Sequence, residues 1–362
     1  MAPSSSQASG RVQFSDRYLV DRMESIQIIA VLLAFLVSGL SPFVVIPFLL
    51  RHEVVDVPNV RSSHEQIAVR GVGLSPLIGM LAGLGSLLFS TRNSGPGPVL
   101  ILAVSALLAA GVGFVEDARG IRVQYRAALQ VLVGSLTALA IGLHFAQPLW
   151  LLIIFAIWVA GYINVANFMD GIDGISGLHG IAVGCFFGFL GSIEELPWLS
   201  YLGWIAAVAF LGFLPWNLFR RGTFLGDVGS YLLGAVAAVT AALAVAAGVS
   251  VLIALSPLAI YLADTSTTFA KRLVKRERWF EAHRSHVYQR LIALGLPHFA
   301  VAAIAAGGAM LTSAGGLLVA HEPALWPILV VDVLIVVLAY LGLPLALSAI
   351  QRRNKRREVP AI

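Results

Sequence analysis

The chain has 362 residues, of which 58% are hydrophobic and only 12% are charged, with a net charge of +5 at pH 7. Soluble domains are about 25% charged, so this composition excludes a water-soluble globular protein. The apolar runs are continuous and roughly 20 residues long, the length at which a helix crosses a bilayer. A transmembrane β-barrel would show alternating segments instead, and the single cysteine, Cys185, excludes a disulfide scaffold. The sequence predicts an all-α integral membrane protein.

The apolar runs, taken in chain order, predict about eleven transmembrane helices. They lie at 26–50, 71–90, 98–115, 127–144, 148–166, 177–193, 199–215, 229–246, 248–265, 297–319 and 325–350. These helices form a single polytopic domain over residues 26–350, with a polar tail at 1–25 and a basic tail at 351–362. Because the first run is long enough to remain in the membrane, no cleaved signal peptide is expected.

The segments between the predicted helices alternate in their content of Lys and Arg. One set comprises 51–70, 116–126, 167–176, 216–228, 266–296 and the C-terminal tail, and it holds 20 of the 24 basic residues. Basic segments are retained in the cytoplasm. The asymmetry therefore predicts an outside N-terminus and a cytoplasmic C-terminus.

Most acidic residues outside the tails lie at the predicted cytoplasmic ends of helices. They are Glu116, Asp117, Asp170, Asp173, Asp227, Asp264, Glu277 and Glu281. A carboxylate loses hydration near hydrocarbon, at a cost of ~2.5–3.5 kcal/mol at the bilayer centre and less towards the edge. Two kinds of compensation are open: each acid can cap a helix, or several can hold Mg²⁺, which prefers one or two carboxylates with waters and substrate phosphates.

The segment 164–174 is the most informative of these ends. Its polar residues Asn164, Asn167, Asp170 and Asp173 are spaced by three, so on a continuing helical turn they form one stripe. Glycines within and after the segment allow a ligand to approach the backbone closely. The alternative is an ordinary polar helix end. We expect a ligand-binding stripe of amides and carboxylates.

Asp227 lies between Gly226 and Gly229 at the start of another predicted helix. The backbone N–H groups of a helix N-terminus bind phosphate, and a carboxylate beside them binds Mg²⁺. A plain helix cap is the alternative. By itself this short motif predicts either arrangement.

Two clusters of cations accompany the acids on the same predicted face. A basic stretch beside a membrane usually binds anionic headgroups, and this alternative stays open for 271–278. The first cluster is His283, Arg284 and His286. Two imidazoles and a guanidinium within four residues favour a phosphate partner. The second cluster is Arg61, His64 and Arg70.

Acids that suit Mg²⁺ and cations that suit phosphate on one membrane face indicate phosphoryl transfer between a soluble nucleotide and a lipid phosphate. A secondary transporter is the main rival, but transport predicts ionisable groups near the bilayer midplane on a path open to both sides. Asp332, inside the last predicted helix, is the one acid in such a place. We expect no nucleic-acid partner.

The motifs at 164–174, 225–230 and 283–291 resemble, in this order, those of the polyprenyl-phosphate N-acetylhexosamine-1-phosphate transferases of glycosyltransferase family 4, over roughly residues 40–350. The resemblance implies transfer of a sugar 1-phosphate from a UDP-N-acetyl amino sugar to undecaprenyl phosphate, with release of UMP and use of Mg²⁺, or of Mn²⁺ in its place. It further implies a bacterial inner membrane location with a cytoplasmic active site, and a homodimer.

The resemblance also implies roles for individual residues. Asp227 and Asn167 correspond to metal ligands, and Asp117 to the base that deprotonates the lipid phosphate, with Glu116 and Asp170 as further catalytic residues. A carboxylate nucleophile is the alternative to direct attack. The residues implied in substrate binding are Asn164, Asp173, Arg61, His64, Arg70, His283, Arg284 and His286.

Two positions depart from the family pattern. Glu116 replaces the first aspartate of a pair, so a catalytically inactive member is a further alternative. The run 66–73 retains Arg70 and two glycines but lacks the family's prolines. The residues His-Arg-Ser-His at 283–286 are similar to the branch that initiates O-antigen synthesis rather than to the peptidoglycan branch with three consecutive histidines. The resemblance thus implies the start of O-antigen or cell-surface polysaccharide synthesis.

Overall fold

The computed structural model describes residues 27–56, 68–90, 96–220, 222–277 and 284–358. Over these ranges the chain is almost entirely helical, with one short β-hairpin. The helices are α1 (Gln27–Leu40), α2 (Pro42–Arg51), α3 (Leu74–Ser90), α4 (Gly97–Arg119), α5 (Val123–Phe145), α6 (Leu149–Met169), α7 (Ile175–Ile193), α8 (Pro197–Phe219), α9 (Gly226–Ala246), α10 (Val251–Leu255), α11 (Ala259–Val274), α12 (Val287–Ala293), α13 (His298–His321) and α14 (Trp326–Glu358).

Each of the eleven predicted apolar runs coincides with one helix or with a pair of consecutive helices. Within the described ranges, nine helical segments are long and apolar enough to span a membrane, and the α1–α2 pair, bent by 41°, would make ten. The remaining run is α3, which has only 17 residues. A multi-pass membrane protein is therefore supported, while the count of eleven and the orientation stay predictions.

Several helices extend beyond the apolar runs that predicted them, and the longest extensions lie at the end of the bundle that carries the acids. α4 continues to Arg119, so that Glu116 and Asp117 are helical rather than part of a loop. α9 begins at Gly226, which places Asp227 in its first turn. Hydropathy detects only the part of a helix inside hydrocarbon, so the polar turns at the membrane surface escaped prediction.

The centre of the bundle is α9, which is buried along nearly its whole length. A helix that is apolar on every side is stable only when other helices surround it. Its many alanines and glycines permit such close packing, and α4 and α6 are its principal neighbours. The first turn of α9 consequently lies between the neighbouring ends of α4 and α6.

The β-hairpin closes the same end of the bundle. β1 (Val55–Asp56) pairs antiparallel with β2 (Ala68–Val69), and Val69 forms a parallel bridge to Thr223. The Gly73 N–H then donates to the carbonyl of Leu225 at 2.8 Å. The segment after β2 is thereby held against the start of α9.

Candidate active site

The end of α4 and the start of α9 meet through the Asp117 carboxylate. Its Oδ1 accepts the backbone N–H of Asp227 at 3.0 Å, and its Oδ2 accepts that of Val228 at 2.9 Å. A helix N-terminus carries partial positive charge that favours a carboxylate. The helices can approach because residue 113 is glycine: a Cβ there would lie 2.3 Å from the Asp227 carbonyl oxygen. Asp117 is thus the cap of α9.

Asp227 is in turn contacted by α6. The amide nitrogen of Asn167 donates to Oδ1 of Asp227 and also to Oγ of Ser230, at 3.1 Å. The two predicted metal ligands are therefore adjacent in the structure. Because Asn167 contacts Asp227 through its amide nitrogen, its amide oxygen, the atom that binds cations, is not used in this hydrogen bond.

Asp170 follows the last residue of α6 and lies close to Asp117 and Asp227. Ser176 Oγ donates to its Oδ1 at 2.7 Å. The pKa of Asp170 is raised from 3.8 to about 7, mainly by burial and also by the negative charges of Asp227, Asp117 and Asp173, while the Ser176 hydrogen bond lowers it. The raised pKa reflects carboxylates that are held together out of water.

The predicted stripe over residues 164–173 is correct only in part, because α6 ends at Met169. Asn164 donates to Gln130 Oε1 on α5, at 2.6 Å. Asp173 lies beyond the helix, where its Oδ2 is 3.1 Å from Nδ1 of His298 at the start of α13. Asn167 and Asp170 therefore face the acids, whereas Asn164 and Asp173 face neighbouring helices.

Glu116 points away from Asp117, as neighbours on a helix do. Its Oε2 accepts the backbone N–H of Ile121 at 2.8 Å, and its Oε1 lies 3.3 Å from Nη1 of Arg126. These contacts close the turn between α4 and α5. The predicted catalytic role of Glu116 stays a prediction, and its contacts within the described residues are those of a structural acid.

The predicted cations are distributed around the acids. Arg70, exposed after β2, lies close enough to Asp117 and Asp227 for its charge to act on both. Arg284 is also exposed, whereas His286 is buried, with its side chain 4% exposed and its Nδ1 3.1 Å from Oδ1 of Asp264. Three further predicted residues lie outside the described ranges: Arg61, His64 and His283.

A cavity of about 250 Å³ opens beside these groups, between α5, α6 and α11. Its polar lining includes Arg126, Arg272, His286 and Asn164. Its apolar lining includes Phe168 and Phe269, which are 41% and 44% exposed. The cavity thus combines cations with an apolar rim.

The acids and the cavity lie within or next to the part of the chain that matches a known family. A sequence model described as glycosyl transferase family 4 matches residues 99–246, a range that holds Asp117, Asn167, Asp170 and Asp227. This stretch of the chain is therefore similar to glycosyl transferase family 4. The match supports the family that the motifs indicate.

One curated relative extends the similarity over more of this chain. It is a protein of Bacillus subtilis (strain 168) named probable undecaprenyl-phosphate N-acetylglucosaminyl 1-phosphate transferase. The two sequences are 25% identical over 292 residues, which cover 75% of this chain and 80% of the relative.

A divalent cation fits the donors of this site only with help from a substrate. Among the described residues, no three acidic, histidine or cysteine side chains are grouped as a metal centre. Asp227 and Asn167 together offer one carboxylate and one amide oxygen. Mg²⁺ is commonly held by one or two carboxylates, with waters and substrate phosphates completing its six ligands, so this sparse donor set suits Mg²⁺ delivered with a phosphorylated substrate.

Sequence reasoning missed several residues that the structure brings to the site. In the sequence, Arg126 is one of the basic residues that predict orientation, Arg272 lies in the stretch for which headgroup binding is also open, and Asp264 is one more acid at a helix end. Asn217 accepts the Gly174 N–H at 2.6 Å, and His298 contacts Asp173. Neither Asn217 nor His298 belongs to a motif, and only their contacts across the bundle reveal them.

Proposed function

We propose that this protein transfers a sugar 1-phosphate from a UDP-N-acetyl amino sugar to undecaprenyl phosphate and releases UMP. The observation that carries the proposal is the juxtaposition of two features at one end of the bundle. One is the acid cluster of Asp227, Asp117 and Asp170, and the other is the cation-lined cavity with an apolar rim. A nucleotide diphosphate with its cation suits the first, and a lipid phosphate suits the second.

The nucleotide side of the site rests on Asp227 and Asn167. Mg²⁺, when bound there with the diphosphate, neutralises charge that develops on the phosphoryl oxygens. Asp117 holds Asp227 in place through the first N–H groups of α9. Arg70 supplies positive charge on the same side, where it can pair with phosphate oxygens.

The lipid side rests on the cavity between α5, α6 and α11. Arg126, Arg272 and His286 can bind a phosphate monoester with charge-assisted hydrogen bonds. Phe168 and Phe269 at the rim suit the first isoprene units of the lipid. A soluble phosphate acceptor would not require an apolar rim beside the cations.

The chemistry is a single phosphoryl transfer. A lipid phosphate oxygen attacks the phosphorus that carries the sugar, the bond from this phosphorus to the bridging oxygen breaks, and UMP leaves with that oxygen. Asp117 is the proposed base, because each of its oxygens keeps a lone pair beyond its bond to α9. Alignment and charge neutralisation account for most of the rate in such transfers.

The product, a polyprenyl diphosphate sugar, is the starting unit on which a polysaccharide can be built. We place the enzyme at the start of O-antigen or cell-surface polysaccharide synthesis in the bacterial inner membrane. The support is the similarity of its late loop to that branch of the family. A cytoplasmic active site follows from the distribution of Lys and Arg in the sequence.

The test is UMP release by the purified protein in detergent, with undecaprenyl phosphate, Mg²⁺ and a panel of UDP-N-acetyl sugars. We expect UMP only when lipid phosphate and Mg²⁺ are both present, and the best sugar donor identifies the pathway. UMP release without the lipid would refute transfer. Binding of substrates without UMP release from any sugar would indicate an inactive family member.

A further inference from the structure

The predicted phosphate-binding histidine is anchored by a carboxylate to which the motifs assign no role. Asp264 of α11 is completely buried, and its Oδ1 lies 3.1 Å from Nδ1 of His286. The Val287 N–H donates to both carboxylate oxygens, at 3.0 and 3.1 Å. The hydroxyls of Thr268 and Tyr340 donate to the same carboxylate, at 3.3 and 2.9 Å. Asp264 therefore joins α11, the start of α12 and the last helix, α14.

Helix capping explains only one part of this arrangement. A cap requires a side-chain acceptor for the first N–H groups of a helix, and the two bonds from Val287 at the start of α12 satisfy that requirement. The imidazole of His286 and the hydroxyl of Tyr340 are additional. A buried carboxylate needs several donors, but donors that converge from three elements also fix its orientation.

The imidazole of His286 is held from two directions. Its Nδ1 lies 3.1 Å from Oδ1 of Asp264, and its side chain also accepts the backbone N–H of Gln289 in the first turn of α12. These contacts fix the orientation of the ring. His286 lines the cation-lined cavity together with Arg126 and Arg272.

Building on the transferase function proposed above, we propose that Asp264 is a positioning residue that holds the imidazole of His286 at the cavity wall, where it contacts a phosphate group. Asp264 acts only through His286 and contacts no substrate. The phosphate belongs either to the lipid acceptor or to the diphosphate of the UDP-sugar. Both present the same tetrahedral anion to His286.

A double-mutant cycle on the full-length protein tests this relationship. Asp264→Asn keeps the size of the side chain but replaces one acceptor oxygen with an NH₂ donor. We expect kcat/KM to fall by about 10- to 100-fold, as when the outer partner of a ligating histidine is removed. In a His286→Gln background the same change should lower kcat/KM by less than about two-fold, because the residue it acts through is absent. Equal losses in both backgrounds would overturn the proposal.

Two further variants separate positioning from general damage. Tyr340→Phe leaves the carboxylate intact and removes one donor, so it serves if Asp264→Asn fails to fold; we expect about a three- to ten-fold fall in kcat/KM that also vanishes in His286→Gln. Asp332→Asn makes the same chemical change on α14 away from the site and should leave activity within about two-fold. A comparable fall in kcat/KM in Asp332→Asn would mean that the fall in Asp264→Asn is general damage and not the loss of positioning of His286.

Substrate titrations identify which phosphate His286 contacts. A rise in KM for undecaprenyl phosphate alone in Asp264→Asn assigns the lipid, and a rise for the UDP-sugar alone assigns the diphosphate. Unchanged KM values together with unchanged kcat would refute positioning.

A readout without turnover keeps this test apart from the proposed function. In ¹⁵N-histidine NMR spectra, the His286 signals, assigned with His286→Gln, should differ between the wild type and Asp264→Asn, whereas Asp332→Asn should leave them unchanged. If the wild type releases no UMP but the spectra behave in this way, the transferase function fails and the Asp264–His286 pair stands. His286 signals that are the same in the wild type and in Asp264→Asn would overturn the pair.

Discussion

The carboxylate of Asp117 accepts the backbone N–H of Asp227 at 3.0 Å, across a separation of 110 residues in the chain. The two acids closest to the proposed chemistry are therefore mechanically connected, one as the cap of the helix that carries the other. The position of the proposed metal ligand is set by the acid proposed as the base. Changes at either residue should consequently affect both metal use and stability.

Asp117 and Glu116 should respond differently to neutral amide replacements. Asp117→Asn puts an NH₂ group against one N–H of the α9 N-terminus and removes the base, so transfer should fall by about 10²–10⁴-fold and stability by about 0.5–2 kcal/mol. Glu116→Gln keeps an oxygen for the Ile121 N–H and loses only the ion pair with Arg126, worth about 0.2–1 kcal/mol. UMP release and thermal unfolding measure both effects.

The reverse result for this pair would reassign the base. If Glu116→Gln abolishes transfer while Asp117→Asn retains it, the base is Glu116 and Asp117 serves only as the cap. The unfolding temperatures show whether either loss comes from misfolding.

Asp227 and Asn167 should differ in how they affect the requirement for Mg²⁺. Asp227→Asn removes the charged ligand, and we expect no transfer at any Mg²⁺ concentration. Asn167→Ala removes a neutral ligand and the donor that orients Asp227, so half-maximal activity should need about 10- to 100-fold more Mg²⁺. A titration of UMP release with Mg²⁺ distinguishes the two. Full activity in Asp227→Asn would remove the metal site from this position.

Transfer at low Mg²⁺ should rise with pH through about 7 because of Asp170. Its pKa is raised from 3.8 to about 7, chiefly by burial, so it is mostly protonated below that pH and gains its charge above it. A bound cation favours the charged form, and saturating Mg²⁺ should therefore move the rise to lower pH. Asp170→Asn should lose this dependence, and any rise that remains belongs to the substrates.

The same pKa shift predicts a pH dependence of stability in the absence of Mg²⁺. Between pH 3.8 and about 7 the folded protein holds a proton on Asp170 that the unfolded chain releases. Stability attributable to Asp170 is thus present at low pH and is lost as the pH rises through this window. Denaturation of the wild type and of Asp170→Asn at several pH values measures it, and parallel curves would contradict the shift.

Gly226 should be irreplaceable, whereas Gly342 should not. Gly226 has φ +75°, and a Cβ there would lie 2.5 Å from the Gly71 nitrogen and 2.6 Å from Oδ2 of Asp117. Gly226→Ala should therefore displace Asp117 from α9, with loss of transfer and a lower unfolding temperature. Gly342 in α14 has open space around it, and Gly342→Ala should stabilise the helix by about 0.5–1 kcal/mol without loss of activity. Equal behaviour of the two would refute this geometry.

Much of the fold was accessible from the sequence because each helix is marked by its own composition. The apolar runs located every helix that the structure shows across 71–90, 98–166, 177–246 and 297–350. They missed the polar turns, such as the end of α4 with Glu116 and Asp117, because hydropathy follows hydrocarbon contact and not helix length. The stripe at 164–173 failed beyond Met169, because spacing by three implies one face only while the helix continues.

The sequence by itself predicted a multi-pass membrane protein with its acids and cations on one face, and it contains motifs similar to those of glycosyl transferase family 4. These properties follow from residues near one another in the chain. Only the tertiary structure decided that Asp117 caps the helix of Asp227, that Arg126 and Arg272 share a cavity with His286, and that Asp264 and Tyr340 hold that histidine. Those contacts join residues of different helices, and short-range sequence patterns do not predict which helix ends pack together.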